Sequence, residues 1–219
     1  MRFSIFSLSL LSLLVLAQLP MAANSRLYGS QYPVEILSVK TGVHVNGEWY
    51  SRTFFSHLGS VEVIMTLKVT DPGITQVCLT FTVMDFEQHP VLFKSCFQAI
   101  GEGETQEVPV NLGLIPNYSS LGNAALYSNV LTGLPSQGGK PLCPQNRQNL
   151  MIWWNSADIN CDYLVSVQDV ALVCASYGRS DSDPLWNERC DIATPYRSID
   201  IFDVLEVVSD YSKEWKSAT

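Results

Sequence analysis

Between Pro33 and Trp154 apolar and polar residues alternate in short runs, with Gly, Pro and Asn between them. "VEILSV" alternates from Val34, and "VEVIMTLKV" sets Val61, Val63, Met65, Leu67 and Val69 on one face. The turn residues "DPG" follow at Asp71–Gly73. "VCLTFTVM" begins at Val77, "VLFKSCF" at Val91, "QEVPVNL" at Gln106, "AALYSNVL" at Ala124 and "NLMIWW" at Asn149. A period of two repeated over so many segments, each closed by a turn signal, predicts antiparallel sheets packed face to face. A hairpin centred near Glu87 would place Cys78 opposite Cys96, and a disulfide there would pin the register.

The pattern changes after Trp154. "DINCDYLVSVQDVALVCASYG" begins at Asp158, and "DIATPYRSIDIFDVLEVVSDYS" begins 33 residues later at Asp191. Each copy reads as an acidic loop feeding a short helix. Val170, Val173, Cys174 and Tyr177 recur at helical spacing in the first, and Val204, Leu205, Val208 and Tyr211 in the second. Each stripe is narrow, so the two helices are expected to pack on each other. The fold class expected is therefore mainly β, an antiparallel β-sandwich followed by a small all-α pair of loop-helix units. The expected divisions are 1–23, 24–154 and 155–219.

Charge sharpens the contrast between the two parts. Residues 155–219 hold twelve acidic and five basic side chains, most of the chain's net −8. That field repels nucleic acid and suits either a bound cation or a merely solvated face. The opening "MRFSIFSLSLLSLLVLAQLPMAANS" has one basic residue, then an apolar run from Phe3 to about Leu16 and small residues. It reads as a secretory signal peptide cleaved near Ala17 or Ala23, which implies a secreted or cell-surface protein. Export makes disulfides the default for Cys78, Cys96, Cys143, Cys161, Cys174 and Cys190. Besides Cys78–Cys96, the expected pairs are Cys174–Cys190 and Cys143–Cys161, with other connectivities open.

Catalytic chemistry finds little support. The chain has three histidines, His44, His57 and His89, and no G-x-S-x-G, H-E-x-x-H or glycine-rich phosphate loop. The expectation is a protein that is not an enzyme. Trp49, Tyr50, Trp153 and Trp154 could stack on sugars, although adjacent strand residues face opposite ways. "NYS" at Asn117 is an N-glycosylation sequon in a polar neighbourhood.

The first acidic loop carries the sharpest chemistry. Asp158, Asn160, Asp162, Ser166 and Asp169 stand at relative positions 1, 3, 5, 9 and 12. Calcium takes six to eight oxygen ligands, and this spacing converges carboxylates and an amide on one point, with the Leu164 carbonyl added at position 7. Val165, at position 8, is expected to turn inward and tie the two loops together. Position 6, where such loops want glycine, is Tyr163, so its backbone must reach a left-handed conformation at some cost. The alternative is an Asx-rich turn capping a helix through Ser166. In the second loop only Asp191, Asp200 and Asp203 remain as ligand types; one residue is extra, and Ala193, Thr194 and Pro195 replace oxygen donors. That loop is expected to bind calcium weakly or not at all.

Doubled D-x-N-x-D loops, with the linker "GRSDSDPLWNERCDI" (Gly178–Ile192), resemble dockerin domains, in particular those of archaeal surface proteins. The first part resembles, diffusely, the immunoglobulin-like sandwiches of secreted surface proteins. The dockerin resemblance implies calcium as cofactor and a protein partner, a cohesin-like domain or a neighbouring surface subunit. Tyr177 and Phe202 are candidate partner contacts, with core packing the alternative for Phe202. The function expected is assembly or adhesion. Two alternatives stand: a module that docks in cis as a structural clamp in a filament or sheath subunit, and a carbohydrate-binding sandwich using Trp49 or Trp153 on a polysaccharide.

Overall fold

Strict alternation shapes β4 (Ser60–Val69), where every second residue from Val61 to Val69 is buried. This computed structural model describes residues 32–101 and 103–215. The expected signal peptide lies outside them. Among the described residues no helix is long and apolar enough to cross a membrane.

β4 sits between β1 (Val34–Val45) and β7 (Thr105–Leu114), with β2 (Glu48–Ser51) on the far side of β1. The second sheet runs β3 (Phe54–Ser56), β9 (Asn146–Trp153), β8 (Gly122–Leu131), β5 (Gln76–Met84), β6 (Pro90–Ala99). Val63, Met65 and Leu67 belong to one buried cluster with Leu79, Phe81, Leu126 and Ile152 of the other sheet. Burying each such side chain stabilises by about 1.5–3 kcal/mol. The result is a two-sheet β-sandwich around one core.

Three expectations are corrected. First, the sandwich is not wholly antiparallel. β3 pairs parallel to β9, Phe55 opposite Ile152. The chain leaves β2, crosses to the other sheet through Arg52 and Thr53, and adds a three-residue edge strand.

Second, Cys78 does not face Cys96. Near the turn Met84 pairs with Pro90, but a bulge between Val83 and Met84 skips Val91, and beyond it Cys78 pairs with Phe97 and Cys96 with Leu79. A one-residue slip moves a side chain to the other face. Cys96 therefore packs against the core beside Leu79, while Cys78 points the other way. All six cysteines are free thiols. Cys143 belongs to the sandwich core, away from the Cys161 loop, and Cys190 is buried in a second cluster while Cys174 is exposed.

Third, no small all-α unit follows the sandwich. The described residues belong to one compact unit, mainly β, with two short helices, α1 (Val167–Ser176) and α2 (Ile201–Ser209). Each helix buries a single apolar side chain completely, Val173 and Val207, and each buries an aspartate beside it. The rest of the second cluster comes from loops: Ala157, Ile159, Val165, Cys190 and Ile199. The expected stripes hold in part: Val173 lies in this cluster and Val170 and Val204 pack against it. Cys174, Tyr177, Leu205, Val208 and Tyr211 all face outward.

Candidate metal site in the first acidic loop

Local chemistry closes the loop before α1. Ser166 is the N-cap: its hydroxyl accepts from Gln168 N at 3.1 Å, and Asp169 Oδ2 accepts from Ser166 N at 2.8 Å. This reciprocal box satisfies helix-end donors. Asp200 and Asp203 repeat it at α2, with Asp200 N donating to Asp203 Oδ2 at 2.8 Å. The capping role and the candidate ligand role thus fall on the same side chains.

Asp158 is the most heavily bonded residue of the loop. Its Oδ2 accepts from the indoles of Trp153 (2.8 Å) and Trp154 (2.7 Å) and from Tyr163 N (2.9 Å), while Oδ1 takes only Asp162 N at 3.2 Å. The strand ends at Trp153, which lets two adjacent indoles converge on one oxygen. Asp158 and Asp169 are fully buried, Asp162 is exposed, and one carboxylate oxygen from each lies within 4.8 Å of the others. Among the described residues this is the group of acidic side chains that could hold a metal ion. Asn160 stands between them: its Oδ1 accepts from Asp162 N at 3.0 Å and its N–H donates to Asp169 Oδ1 at 3.1 Å. Leu164 N donates to Asp162 Oδ1 at 3.0 Å. Every donor atom available is oxygen, as a hard cation requires.

The second loop has the same skeleton without the same donors. Asp203 Oδ1 accepts the N–H of Ile192 and of Ala193, at 2.7 and 2.8 Å. Asp191 Oδ2 accepts Arg197 N at 2.8 Å, whereas its Oδ1 is buried without a hydrogen-bond partner. Burial pushes the Asp191 carboxyl up to about 6, against the pull of that N–H and of the Arg52 charge. Burial also raises Asp203. Asp191, Asp200 and Asp203 do not gather their oxygens as the first loop does.

The inward position-8 residues do not join the two loops. Val165 N donates to Lys213 O, and Ser212 N to Val165 O, both at 2.8 Å. Ile199 N donates to Arg179 O at 2.9 Å, and Gly178 N to Ile199 O at 2.8 Å. The first loop pairs with the segment after α2, and the second with the segment after α1.

The loops, rather than the helices, meet the sandwich. The Arg52 guanidinium donates to the Asp191 carbonyl and lies 4.2 Å from the Tyr196 ring centre. Thr53 donates to Glu188 at 2.7 Å, and Arg197 to the Trp49 carbonyl at 3.0 Å. Nothing in the linear pattern marks these contacts, which join residues more than 130 positions apart. Tyr177 and Phe202 are exposed. Asn117 lies exposed on a turn, with the Ser119 hydroxyl bonded to Pro116 O at 2.8 Å. Trp153 is buried and its indole N–H is committed to Asp158, so it offers no surface for a sugar.

No protein-family model and no curated protein matches the sequence. Solved structures resemble it partially. The C-terminal domain of Wzt aligns at TM-score 0.44 and 9% identity, over 57% of this chain and 76% of that one. A β-glucuronidase of glycoside hydrolase family 2 aligns at 0.39 and 14%, over 55% of this chain and 13% of that one. The CARDB domain of the PF1109 protein from Pyrococcus furiosus aligns at 0.35 and 10%, over 55% and 97%.

Proposed function

We propose that this is a non-catalytic protein of the cell exterior whose first acidic loop holds one calcium ion. The observation carrying this reading is the convergence of Asp158, Asp162 and Asp169 within 4.8 Å, two of them fully buried. Buried carboxylates set side by side are costly unless a cation or hydrogen bonds compensate them. Asp158, Asp162 and Asp169 would hold the ion with Asn160 Oδ1 and the Leu164 carbonyl. The ion would supply charge compensation to a loop with a thin core. Dockerin-like loops share this ligand spacing, which supports the reading.

The outward helix faces support a role in protein–protein assembly or adhesion. Phe202, Leu205 and Val208 on α2 are each about half exposed, as is Tyr177 at the end of α1. A cohesin-like domain or a neighbouring surface subunit would be a fitting partner. A clamp in cis is the second reading, favoured by the Arg52–Asp191 and Thr53–Glu188 contacts that fasten the second loop to the sandwich.

Calorimetric titration of the full chain with calcium chloride tests the site. One site is expected, abolished in Asp162→Ala. Absence of binding by the folded wild type, or unchanged binding by the variant, overturns the assignment.

A further inference from the structure

A cleft of about 510 Å³ opens where the β1–β2 hairpin meets the segment between the two helices. Trp49, Tyr50 and Arg52 form one wall; Trp186, Asp191 and Arg197 form the other. Three buried polar atoms of these walls have no hydrogen-bond partner: the indole nitrogens of Trp49 and Trp186, and Oδ1 of Asp191, whose residue is 3% exposed. Leaving such atoms unpaired is costly, and native proteins rarely tolerate several in one place. The same chain satisfies its other two buried-end indoles fully, on Asp158.

The cleft is charge-balanced. Lys40, Arg52 and Arg197 face Asp181, Glu188 and Asp191. Both arginines are already engaged, Arg52 with the Asp191 carbonyl and Arg197 with the Trp49 carbonyl and Asp181. No net field selects an anion or a cation. What is left is two N–H donors, one carboxylate acceptor and aromatic surface, the set that suits hydroxyl groups on an apolar ring. A side chain at Gly42 would lie 2.1 Å from the Tyr50 carbonyl and 2.7 Å from the Trp49 ring, so only glycine seats Trp49 there. Tyr50 packs edge-on to Tyr196 at 4.9 Å, with Arg197 5.3 Å from its ring centre.

We propose that this cleft is a saccharide subsite, taking a neutral sugar whose hydroxyls accept from Trp49 and Trp186 and donate to Asp191. The three polar atoms are covered in the free protein, so the sugar reaches them through a small shift of the wall side chains. The subsite stands apart from the first acidic loop and does not depend on calcium there.

Saturation-transfer NMR of the full chain tests it, with the methyl glycosides of glucose, galactose, mannose and N-acetylglucosamine, and inorganic phosphate as the charged control. Trp49→Phe and Trp186→Phe keep a ring and delete one donor each. Transfer to at least one glycoside is expected, with affinity lowered about fivefold in each variant, the loss of roughly one hydrogen bond, while each variant keeps the circular dichroism of the wild type. No transfer to any glycoside from the folded wild type overturns the proposal: the cleft then holds solvent only. So does transfer that both variants leave intact, or binding of phosphate in preference to every glycoside.

Discussion

Tyr163 and Arg197 occupy the same place in two different loops. Both are left-handed, at φ 72° and φ 76°, and each donates its N–H to the aspartate that opens its loop. Glycine is the residue that takes this conformation freely. The turn persists because the aspartate below it, Asp158 or Asp191, is buried and needs that donor. Asparagine tolerates the left-handed region and a β-branched residue does not. Tyr163→Val is therefore expected to be less stable than Tyr163→Asn by about 1–2 kcal/mol. Both lose the ring contact with Trp153, so their difference in urea midpoint isolates the backbone.

Asp158 and Asp162 separate structure from metal binding. Removing Asp158 strands the indole of buried Trp153 and the N–H of Tyr163, so Asp158→Ala should cost about 3 kcal/mol even in chelator. Asp162 is exposed, and its carboxylate contacts only loop atoms. Asp162→Ala should cost under about 1 kcal/mol in chelator. Chelation should lower the melting temperature of the wild type and leave that of Asp162→Ala unmoved. An equal drop in both would remove the ion from this loop.

How much of this was legible in the linear chain depends on how local the cause is. Alternation from Val61 to Val69 reports a buried face directly, and the sandwich follows from it. The left-handed turn at Tyr163 was readable because the ligand spacing demands it. The bulge at Val83/Met84 was not, because one skipped residue leaves no mark in composition yet turns Cys78 away from Cys96. β3 was hidden for a related reason: three residues cannot display a period. The helix stripes were half legible: Val170, Val173 and Val204 face the second cluster, but Val207 and Asp203, not Leu205 and Val208, complete the inward face of α2 once the capping box claims Asp203.

Asp191 should make stability fall as pH rises. Its folded value is raised to about 6 from an ordinary 3.8, so the folded state holds its proton more tightly than the unfolded chain. The penalty for ionisation is absent below about pH 4 and complete above about pH 6. Asp203, also raised, has the same sign. Asp85 and Asp210 have the opposite sign. Burial pushes both up, but the N–H groups of Ser120 and His89, and the side chains of Lys213 and Asn155, hold them low, and their contribution is lost in more acid solution. Between pH 4 and 6 Asp191 should dominate. Asp191→Asn should flatten that part of the profile and gain about 2 kcal/mol at pH 8, the two-unit shift reduced for solvent screening. Urea unfolding at intervals of half a pH unit measures it; an unchanged slope would contradict the burial of the charge.

The thiols should differ sharply in reactivity. Cys174 is exposed on α1, whereas Cys78, Cys143 and Cys190 are buried. Cys161 is half-buried, and burial pushes its thiol up to about 11 despite the Arg189 guanidinium beside it, so it stays protonated. Thiolate is the reactive form. Iodoacetamide should label Cys174 first in the native protein and all six after denaturation without reductant. Peptide mass mapping resolves the order, and a disulfide-linked peptide would contradict the free-thiol arrangement.

The pairing of each acidic loop with the segment after the other helix makes the first loop depend on the chain's last described residues. Val165 exchanges both of its backbone bonds with Ser212 and Lys213, Leu164 bridges Glu214, and Trp215 N donates to Tyr163 O at 2.9 Å. Trp215 also packs against Trp154 and His57. A chain ending at Tyr211 keeps every acidic residue of the loop and both helices. It loses the segment whose backbone bonds hold positions 6 to 8, so the carboxylates are no longer brought together before the ion arrives. Calcium affinity should fall at least tenfold, about 1.4 kcal/mol, while the sandwich keeps its β-sheet circular dichroism. Full affinity in the truncated chain would mean that the loop's own hydrogen bonds suffice to shape it.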